Sequence, residues 1–440
     1  MPCPVTIQAF RSGMGSGSLI LEAGENSRPE AVRSPFFLQP DPLGSQSSAP
    51  ARPDPESGWR ACFSSGILYK EHMNRQYDGL ALFSGGLDGL LAIKVLEEQG
   101  LKIKPLHFYS PFFGYPRKRA YWRRIYGIDA AMIDISQDFV DMLAAGPLYG
   151  VGKVINPCVD CKILLLQHAR KLMPQYGARF LATGEVVGQR PMSQRRDTLD
   201  IISRDAQIRD VLLRPLSAQC LRPTAVEESG LVDRSRLLDL WGRGRKGQFE
   251  LAAKYGIKII PTPAGGCLLT EKENGSRFWP IFKHLERPDQ SHFWLAKVGR
   301  QFWNGPFWLS IGRNERDNAR LNELLQRGDI LLRLTSYPGP LALARNLGGE
   351  PWPYALLEAA GALLGSFSPK AAAAAAAVEV QLRTVGPHWD GADMQALSLA
   401  APELGAETER VMLITPQRSG LWHGVSWEEA GPEIKAHYKI

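Results

Sequence analysis

The chain has 440 residues, 44% of them hydrophobic and 22% charged, which suits two or three folded domains of ordinary globular composition. No apolar run reaches the ~18 residues that a membrane helix needs, and no charged start leads into an apolar stretch, so a cytoplasmic protein with no membrane partner is expected. A net charge of +7 leans mildly toward a polyanionic partner, and six cysteines are too few for a disulfide scaffold.

Residues 1–72 are rich in Pro, Ser, Gly and Arg and lack sustained periodicity, which predicts a disordered N-terminal extension. Met73 stands just before the first clear strand and reads as the true start, with 1–72 a misassigned leader. Cys3 and Cys62 fall in that extension and carry little weight. From residue 77 a βα alternation begins. The pattern predicts a strand over 77–83, a helix over 89–99, a strand over 102–110 and another near 130–135. A helix over 162–173 and a strand over 178–185 follow, and apolar runs at 210–217 and 255–263 supply further short pieces. Strands alternating with helices predict an α/β domain over 73–295, a doubly wound parallel sheet with helices on both faces. Ligands of such sheets sit beyond the carboxyl ends of the strands, and Ser84, His107 and Gly184 follow strands, so they are expected to line one crevice.

After residue 300 the order becomes strand, loop, short helix, strand, Pro-Gly turn, strand. The alanine run 371–377 favours helix by propensity, an alternating strand follows it, and "ERVMLITP" is the last strand. These elements predict a smaller α+β domain over 300–440.

Three constellations carry chemistry. Where the first strand hands over to a helix the chain reads Ser84-Gly85-Gly86-Leu87-Asp88-Gly89. Glycines let backbone N–H groups turn toward an anion, and the helix start adds unpaired donors and a positive dipole end. Asp88 could hold Mg²⁺ or cap the helix; the plainer reading is an ordinary βα turn. Neither a dinucleotide fingerprint nor a Walker loop is present. The second constellation is Cys158 and Cys161 in "NPCVDC", with Cys267 far downstream. Three such cysteines fit a 4Fe-4S cluster with one open iron, a three-cysteine Zn²⁺ site, or a persulfide relay, against the plainer reading of unconnected thiols. Cys220 reads as structural. The third is basic. Arg117, Lys118, Arg119, Arg123 and Arg124 interleave with Tyr115, Tyr121, Trp122 and Tyr126, a composition for phosphates and stacked bases or for a solvated helix with its aromatics in the core. A weaker companion is the Gly-rich loop over 242–248 with Arg243, Arg245 and Lys246.

These residues together resemble a family. "SGGLDG" resembles the SGGxDS loop of the PP-loop (HUP-type) ATP pyrophosphatases. "TGEVVGQRPMSQ" is similar to the Gly-Glu loop of the ThiI-type tRNA 4-thiouridine synthases, and "LRPLS" to the stretch that follows it there. "NPCVDC" is similar to the cysteine element of tRNA 2-thiouridine and 2-thiocytidine enzymes. Over 75–290 the resemblance implies a tRNA sulfurtransferase that binds ATP and Mg²⁺ at Ser84, Gly85, Gly86, Asp88 and Gly89, with His107, Gly184 and Glu185 nearby. It would adenylate a uridine or cytidine carbonyl and exchange the oxygen for sulfur. Asp88, Cys158, Cys161 and Cys267 would be catalytic, the three cysteines would hold the cluster, and a cysteine desulfurase or similar sulfur donor would be a partner. The chain departs from the pattern at Gly89, which replaces the last serine of SGGxDS, and it lacks a THUMP domain. The C-terminal stretch is similar to the NFACT-type RNA-binding domain through Gly312-Arg313-Asn314 and Pro338-Gly339, which implies tRNA contacts by Arg313 and Asn314. Two rival readings are an RNA-binding protein with a degenerate PP-loop and a PP-loop enzyme acting on a small molecule.

Overall fold

The computed structural model describes residues 77–261, 266–374, 376–386, 406–418 and 420–439. The extension expected over 1–72, with Cys3, Cys62 and Met73, lies outside the described residues.

Five strands form a parallel sheet in the order β3-β2-β1-β4-β5: β1 (Gly79–Leu82), β2 (Ile103–Tyr109), β3 (Ala131–Asp134), β4 (Phe180–Thr183) and β5 (Leu212–Leu213). Between them run α1 (Leu87–Glu97), α2 (Arg119–Tyr126), α3 (Ser136–Ala144), α4 (Cys158–Tyr176) and α5 (Arg196–Asp205); α6 (Ala225–Glu228) and α7 (Lys246–Lys254) follow β5. Alternate strand residues feed opposite cores, as the pleat requires. Leu80, Leu106 and Leu181 join the core with α3, α4 and α5, whereas Ala81, Phe83, Phe180 and Ala182 join the other with α1, Trp122 and α7. A fully buried Leu or Phe on either face contributes about 2 kcal/mol. This is the doubly wound α/β class that the alternation predicts. The strand order reverses between β1 and β4, so the ligand crevice of such a sheet lies beyond their carboxyl ends.

A helical segment, α8 (Lys272–His284) and α9 (Gln290–Ala296), leads to a separate antiparallel sheet. Its order is β11-β10-β8-β9-β7-β6, from β6 (Arg300–Asn304), β7 (Phe307–Ile311), β8 (Ile330–Leu334), β9 (Leu341–Asn346), β10 (Val378–Val385) and β11 (Ala406–Ile414). Helices α10 (Glu315–Glu323), α11 (Tyr354–Ser366) and α12 (Pro369–Ala373) are inserted between its strands, and α11 packs its buried face on β8, β10 and β11.

Three local expectations need correction. The cysteine helix begins at Cys158 rather than 162, because Pro157 caps it and its carbonyl accepts the Cys161 N–H at 2.8 Å. The run at 255–263 forms no strand over its described residues 255–261: Ile257 packs inward, but Ile259 and Ile260 are exposed. Among the described residues of the alanine-rich stretch only Pro369–Ala373 is helical, and β10 starts at Val378. The last helix, α13 (Trp427–Tyr438), belongs to neither sheet. It returns to α8 through Trp279 Nε1–H to Glu433 (2.6 Å) and Lys283 to Glu433 (2.8 Å), and the Tyr438 hydroxyl donates to the Leu143 carbonyl of α3. No helix among the described residues is long and apolar enough to cross a membrane.

Candidate functional site at the carboxyl ends of β1 and β4

The loop after β1 is built around two close approaches. Gly85 has φ +87°, and an added Cβ would lie 2.6 Å from the Trp122 ring. Gly184, just after β4, lies backbone to backbone on the start of α1; an added Cβ would sit 2.5 Å from the Gly89 nitrogen. Gly86 caps α1 and no side chain accepts from its first turn, which leaves those N–H groups for another acceptor. Ser84 is exposed beside them. At Gly89 an added Cβ would be 3.3 Å from the Leu82 carbonyl, so the missing serine could be accommodated with a small shift.

A third segment closes on these two. Gly242 N–H donates to Val187 O at 2.8 Å, and Val187 bridges to Trp241, which is 70% exposed. Arg245 then reaches Asp88 at 3.3 Å. Arg245, expected to contact RNA, instead pairs with the carboxylate of the glycine loop; Arg243 and Lys246 remain exposed. Among the described residues nine buried side-chain polar atoms lack a hydrogen-bond partner, and five belong to these segments: Glu185 Oε1, Gln189 Oε1, Gln194 Oε1, Arg245 Nε and Gln248 Nε2. Glu185 Oε1 has the Lys162 ammonium 3.5 Å away, which leaves four bare atoms. Bare buried polar atoms cost roughly 1–3 kcal/mol each, so their concentration suits a place that takes something polar.

Glu185 links this crevice to the cysteine helix. It is 2% exposed, lies 3.5 Å from Lys162 and 3.1 Å from Arg214, and accepts from Thr183. Burial pushes its carboxyl up, but Lys162 and Arg214 outweigh that and hold it below the ordinary value of 4.5. Lys162 follows Cys161 directly, and Arg214 lies just past β5. Glu185→Gln should therefore destabilise the protein by about 3–5 kcal/mol, because two cations keep their sites without a countercharge. The wild-type contribution is complete above pH 4.5 and disappears as pH falls through the lowered folded value. Chemical denaturation at several pH values checks this: the gap between wild type and variant should be full at pH 7 and shrink toward pH 3.

Cys158 and Cys161 occupy the first turn of α4, three apart on one face. Asn156 Nδ2–H donates to Cys158 Sγ at 3.2 Å and also faces Met192 of the Gly-Glu loop. Ile155 N–H donates to Leu269 O, and Leu268 N–H to Phe112 O, so the Cys267 segment lies against the entry to α4. Burial pushes the Cys161 thiol up to about 12 and raises the Cys267 thiol as well, and charge on Cys158 or Cys161 is felt at Cys267. The donor set, three sulfurs with no carboxylate, suits iron–sulfur or zinc chemistry. Among the described residues, however, no three His, Cys, Asp or Glu side chains are closed into a metal-holding group, and 262–265, which precede Cys267, lie outside them. Cys220 stands apart, its thiol on the Asp239 carbonyl.

His107 does not face the crevice. It is fully buried, Nδ1–H donates to Phe83 O at 2.8 Å, and Nε2 accepts the Tyr115 N–H at 2.8 Å. Burial lowers its pKa to about 4, so it is neutral and ties the glycine loop to the basic segment. A residue inside a strand of a sheet covered on both faces is enclosed; only the loops beyond are open. On α2 and the turn before it, Trp122 is buried against Phe83 and His107, while Arg117, Lys118, Arg119, Arg123 and Arg124 are exposed with Tyr115 and Tyr121. Arg119 pairs with Asp129. The basic face is thus anchored beside the glycine loop by one aromatic ring. In the second sheet Asn314 caps α10 by accepting the Asp317 N–H, and Arg313 pairs with Asp317 at 2.7 Å. Both residues expected to touch RNA there also build a helix start.

No family model matches the chain. Over 142 residues, 31% of its length, it is 28% identical to the "Probable tRNA sulfurtransferase" of Thermococcus kodakarensis. The match is 36% of that protein, so the chain spans about a third of the curated relative. Among solved structures it is similar to the predicted subunit of tRNA methyltransferase from Methanocaldococcus jannaschii, at 17% identity, over 40% of this chain and 75% of that one, with a TM-score of 0.26. It is similar to the U34-tRNA thiolase NcsA from Methanococcus maripaludis, solved with its 4Fe-4S cluster, at 15% identity, over 44% and 63%, with a TM-score of 0.25. The C-terminal part of the fibronectin/fibrinogen-binding protein from Streptococcus suis gives 14% identity, 46% and 83%, and a TM-score of 0.21. TM-scores this low carry no argument about this chain.

Proposed function

We propose that this chain is a tRNA-thiolating enzyme that adenylates a pyrimidine carbonyl with ATP and replaces the oxygen with sulfur. The observation that carries the reading is the meeting of the glycine loop, the Gly-Glu loop and the Arg245 segment in one crevice with unpartnered polar atoms, joined through Glu185 and Lys162 to a helix that opens on two cysteines. The similarity to a protein named a tRNA sulfurtransferase supports the same substrate class.

ATP phosphates would lie on the first-turn N–H groups of α1 and on Ser84; Asp88 would hold Mg²⁺, which would neutralise phosphate charge, and Arg245 beside it would supply a second cation for a phosphate. The base carbonyl oxygen attacks the α-phosphorus as the ring nitrogen of a uridine, or the exocyclic amine of a cytidine, gives up a proton; the bond to the β-phosphate oxygen breaks and pyrophosphate leaves. Sulfide or a persulfide sulfur then attacks the ring carbon. The C–O bond breaks, AMP departs with the former carbonyl oxygen, and the nitrogen that gave up the proton regains one. AMP is the leaving group that bare carbonyl oxygen is not. Delivered as a persulfide on one cysteine, the sulfur leaves a disulfide with a second cysteine, and a thiol reductant must reopen it. Alternatively, Cys158, Cys161 and Cys267 would hold a 4Fe-4S cluster, which supplies an open iron for sulfide. The exposed cations of α2 would take the tRNA backbone, and the target base must be unstacked to enter.

Mass spectrometry of nucleosides from bulk tRNA tests the reading, in a strain lacking the protein and in its parent. Loss of one thionucleoside, restored by the wild-type chain, is the expected result. A second reading is favoured by Gly89 and by the Asp88–Arg245 pair: an RNA-binding protein whose loop has lost catalysis. An unchanged nucleoside profile with retained tRNA binding would establish that reading instead.

A further inference from the structure

An exposed aromatic ring stands beside the crevice, and neither adenylation nor sulfur transfer uses it. Trp241 is 70% exposed, although tryptophan is highly buried on average. Its backbone is nevertheless fixed on both sides. Leu240 N–H donates to Leu216 O at 2.9 Å before it, and Gly242 N–H donates to Val187 O at 2.8 Å after it. The fully buried Ser217 hydroxyl ties the same segments, accepting the Val187 N–H at 3.1 Å and donating to Leu240 O at 2.6 Å. Four residues on, Arg245 reaches Asp88 of the glycine loop at 3.3 Å, which holds this segment against the crevice. The nitrogen edge of the indole lies by the Gly-Glu loop, since a Cβ added at Gly188 would be 3.7 Å from Trp241 Nε1. Among the described residues no hydrogen bond and no second ring engages the indole.

A rigidly held, open aromatic face next to bare polar atoms suits a nucleobase. Every base has a π-face, and stacking needs no net charge, so the presence of Asp239 as well as Arg243 around the ring is no obstacle. Arg243 is exposed and in no ion pair among the described residues, which leaves it for the phosphate of the same nucleotide. Gln189 and Gln194 of the adjoining loop have amide oxygens without a partner, and amides are groups that pair with base edges. Residues 242–248 carry no apolar side chain, whereas the core of a protein interface gathers several. The adenine of ATP fits less well, because small-ligand sites bury roughly 70–90% of their ligand and a ring this open encloses nothing. A base within a strand is held by its neighbours as well.

We propose that Trp241 is a stacking platform for an unstacked base of the RNA strand that enters the crevice; the assignment rests on the RNA substrate proposed above. Fluorescence anisotropy of a labelled oligouridylate and calorimetric titration of a nonhydrolysable ATP analogue test it on the full chain. Trp241→Ala and Trp241→Leu should each weaken oligouridylate binding about tenfold, and Trp241→Tyr should keep most of it. Affinity for the ATP analogue should be the same in all three variants as in the wild type. Thermal unfolding should not change either, because the ring is exposed. Unaltered oligouridylate affinity in Trp241→Ala overturns the platform, and so does wild-type affinity in Trp241→Leu, which would make the contact apolar rather than stacked. Loss of ATP-analogue affinity with unaltered oligouridylate affinity would give the ring to adenine instead. In each of those cases a thionucleoside restored by the wild-type chain keeps the thiolation reading. A wild-type chain that neither binds the oligouridylate nor restores a thionucleoside removes both.

Discussion

Cys158→Ser is expected to abolish thiolation, by about a thousandfold or more, while leaving tRNA-dependent exchange of pyrophosphate into ATP in place. The two half-reactions separate because their groups sit on different elements. The groups proposed to adenylate lie in the loop after β1 and at Gly184, whereas the sulfurs lie on the first turn of α4 and beside Leu268. Serine can keep the hydrogen bond from Asn156, so the fold should survive. An oxygen can neither carry a persulfide nor serve as a soft thiolate ligand. Cys161→Ser and Cys267→Ser should behave alike. Burial holds both thiols protonated near neutral pH, so loading a metal or cluster onto them should release protons. Loss of exchange together with thiolation in Cys158→Ser, in a folded variant, would place that cysteine in the adenylation step. Full thiolation by all three variants would remove the cysteines from the mechanism.

The second large effect is expected from Gly184→Ala. The added Cβ meets the backbone of Asp88 and Gly89, and backbone cannot rotate aside as a side chain can. The start of α1 must move away from β4, at a cost of about 1–3 kcal/mol in stability, and the first-turn N–H groups lose their aim. Nucleotide affinity should fall by more than tenfold, and pyrophosphate exchange with it. Gly89→Ser is the instructive contrast, since its Cβ would be 3.3 Å from the Leu82 carbonyl and its hydroxyl would restore the one missing from the loop. That variant should retain or strengthen ATP binding. Calorimetric titration with a nonhydrolysable ATP analogue, beside thermal unfolding, separates the two effects. Equal ATP affinity in Gly184→Ala and wild type would mean that nucleotide does not bind at the β1 and β4 ends.

The groups these variants touch were legible in the sequence to different degrees. Strand, glycine turn and helix at 77–97 could be read directly, because the hydrophobic period and the glycines act within a dozen residues. The same holds for Cys158 and Cys161 on one helical turn, although the helix starts at the first cysteine. The alternation after 77 and its change after 300 set the two sheet types. What the sequence could not reveal were partners brought together by the fold. Arg245 stands 157 residues from Asp88, and Arg214 stands 29 from Glu185. Nothing local distinguishes Arg245 from its exposed neighbours Arg243 and Lys246. Gln189, Gln194 and Gln248 gave no local signal either, since an amide becomes informative only once buried without a partner.

His107 shows the limit from the other side. Its place near the end of a strand suggested the crevice, but the order β3-β2-β1 encloses β2 and directs both ring nitrogens to backbone groups. Local physics thus determined which segments become strands, helices and glycine turns, and which residues carry reactive chemistry, because those depend on period, propensity and functional group. Tertiary packing alone decided which charges meet, which donors are left bare and which side of a basic helix faces water. Those depend on the direction in which distant elements bring their side chains together, and burial then sets the energy of each group.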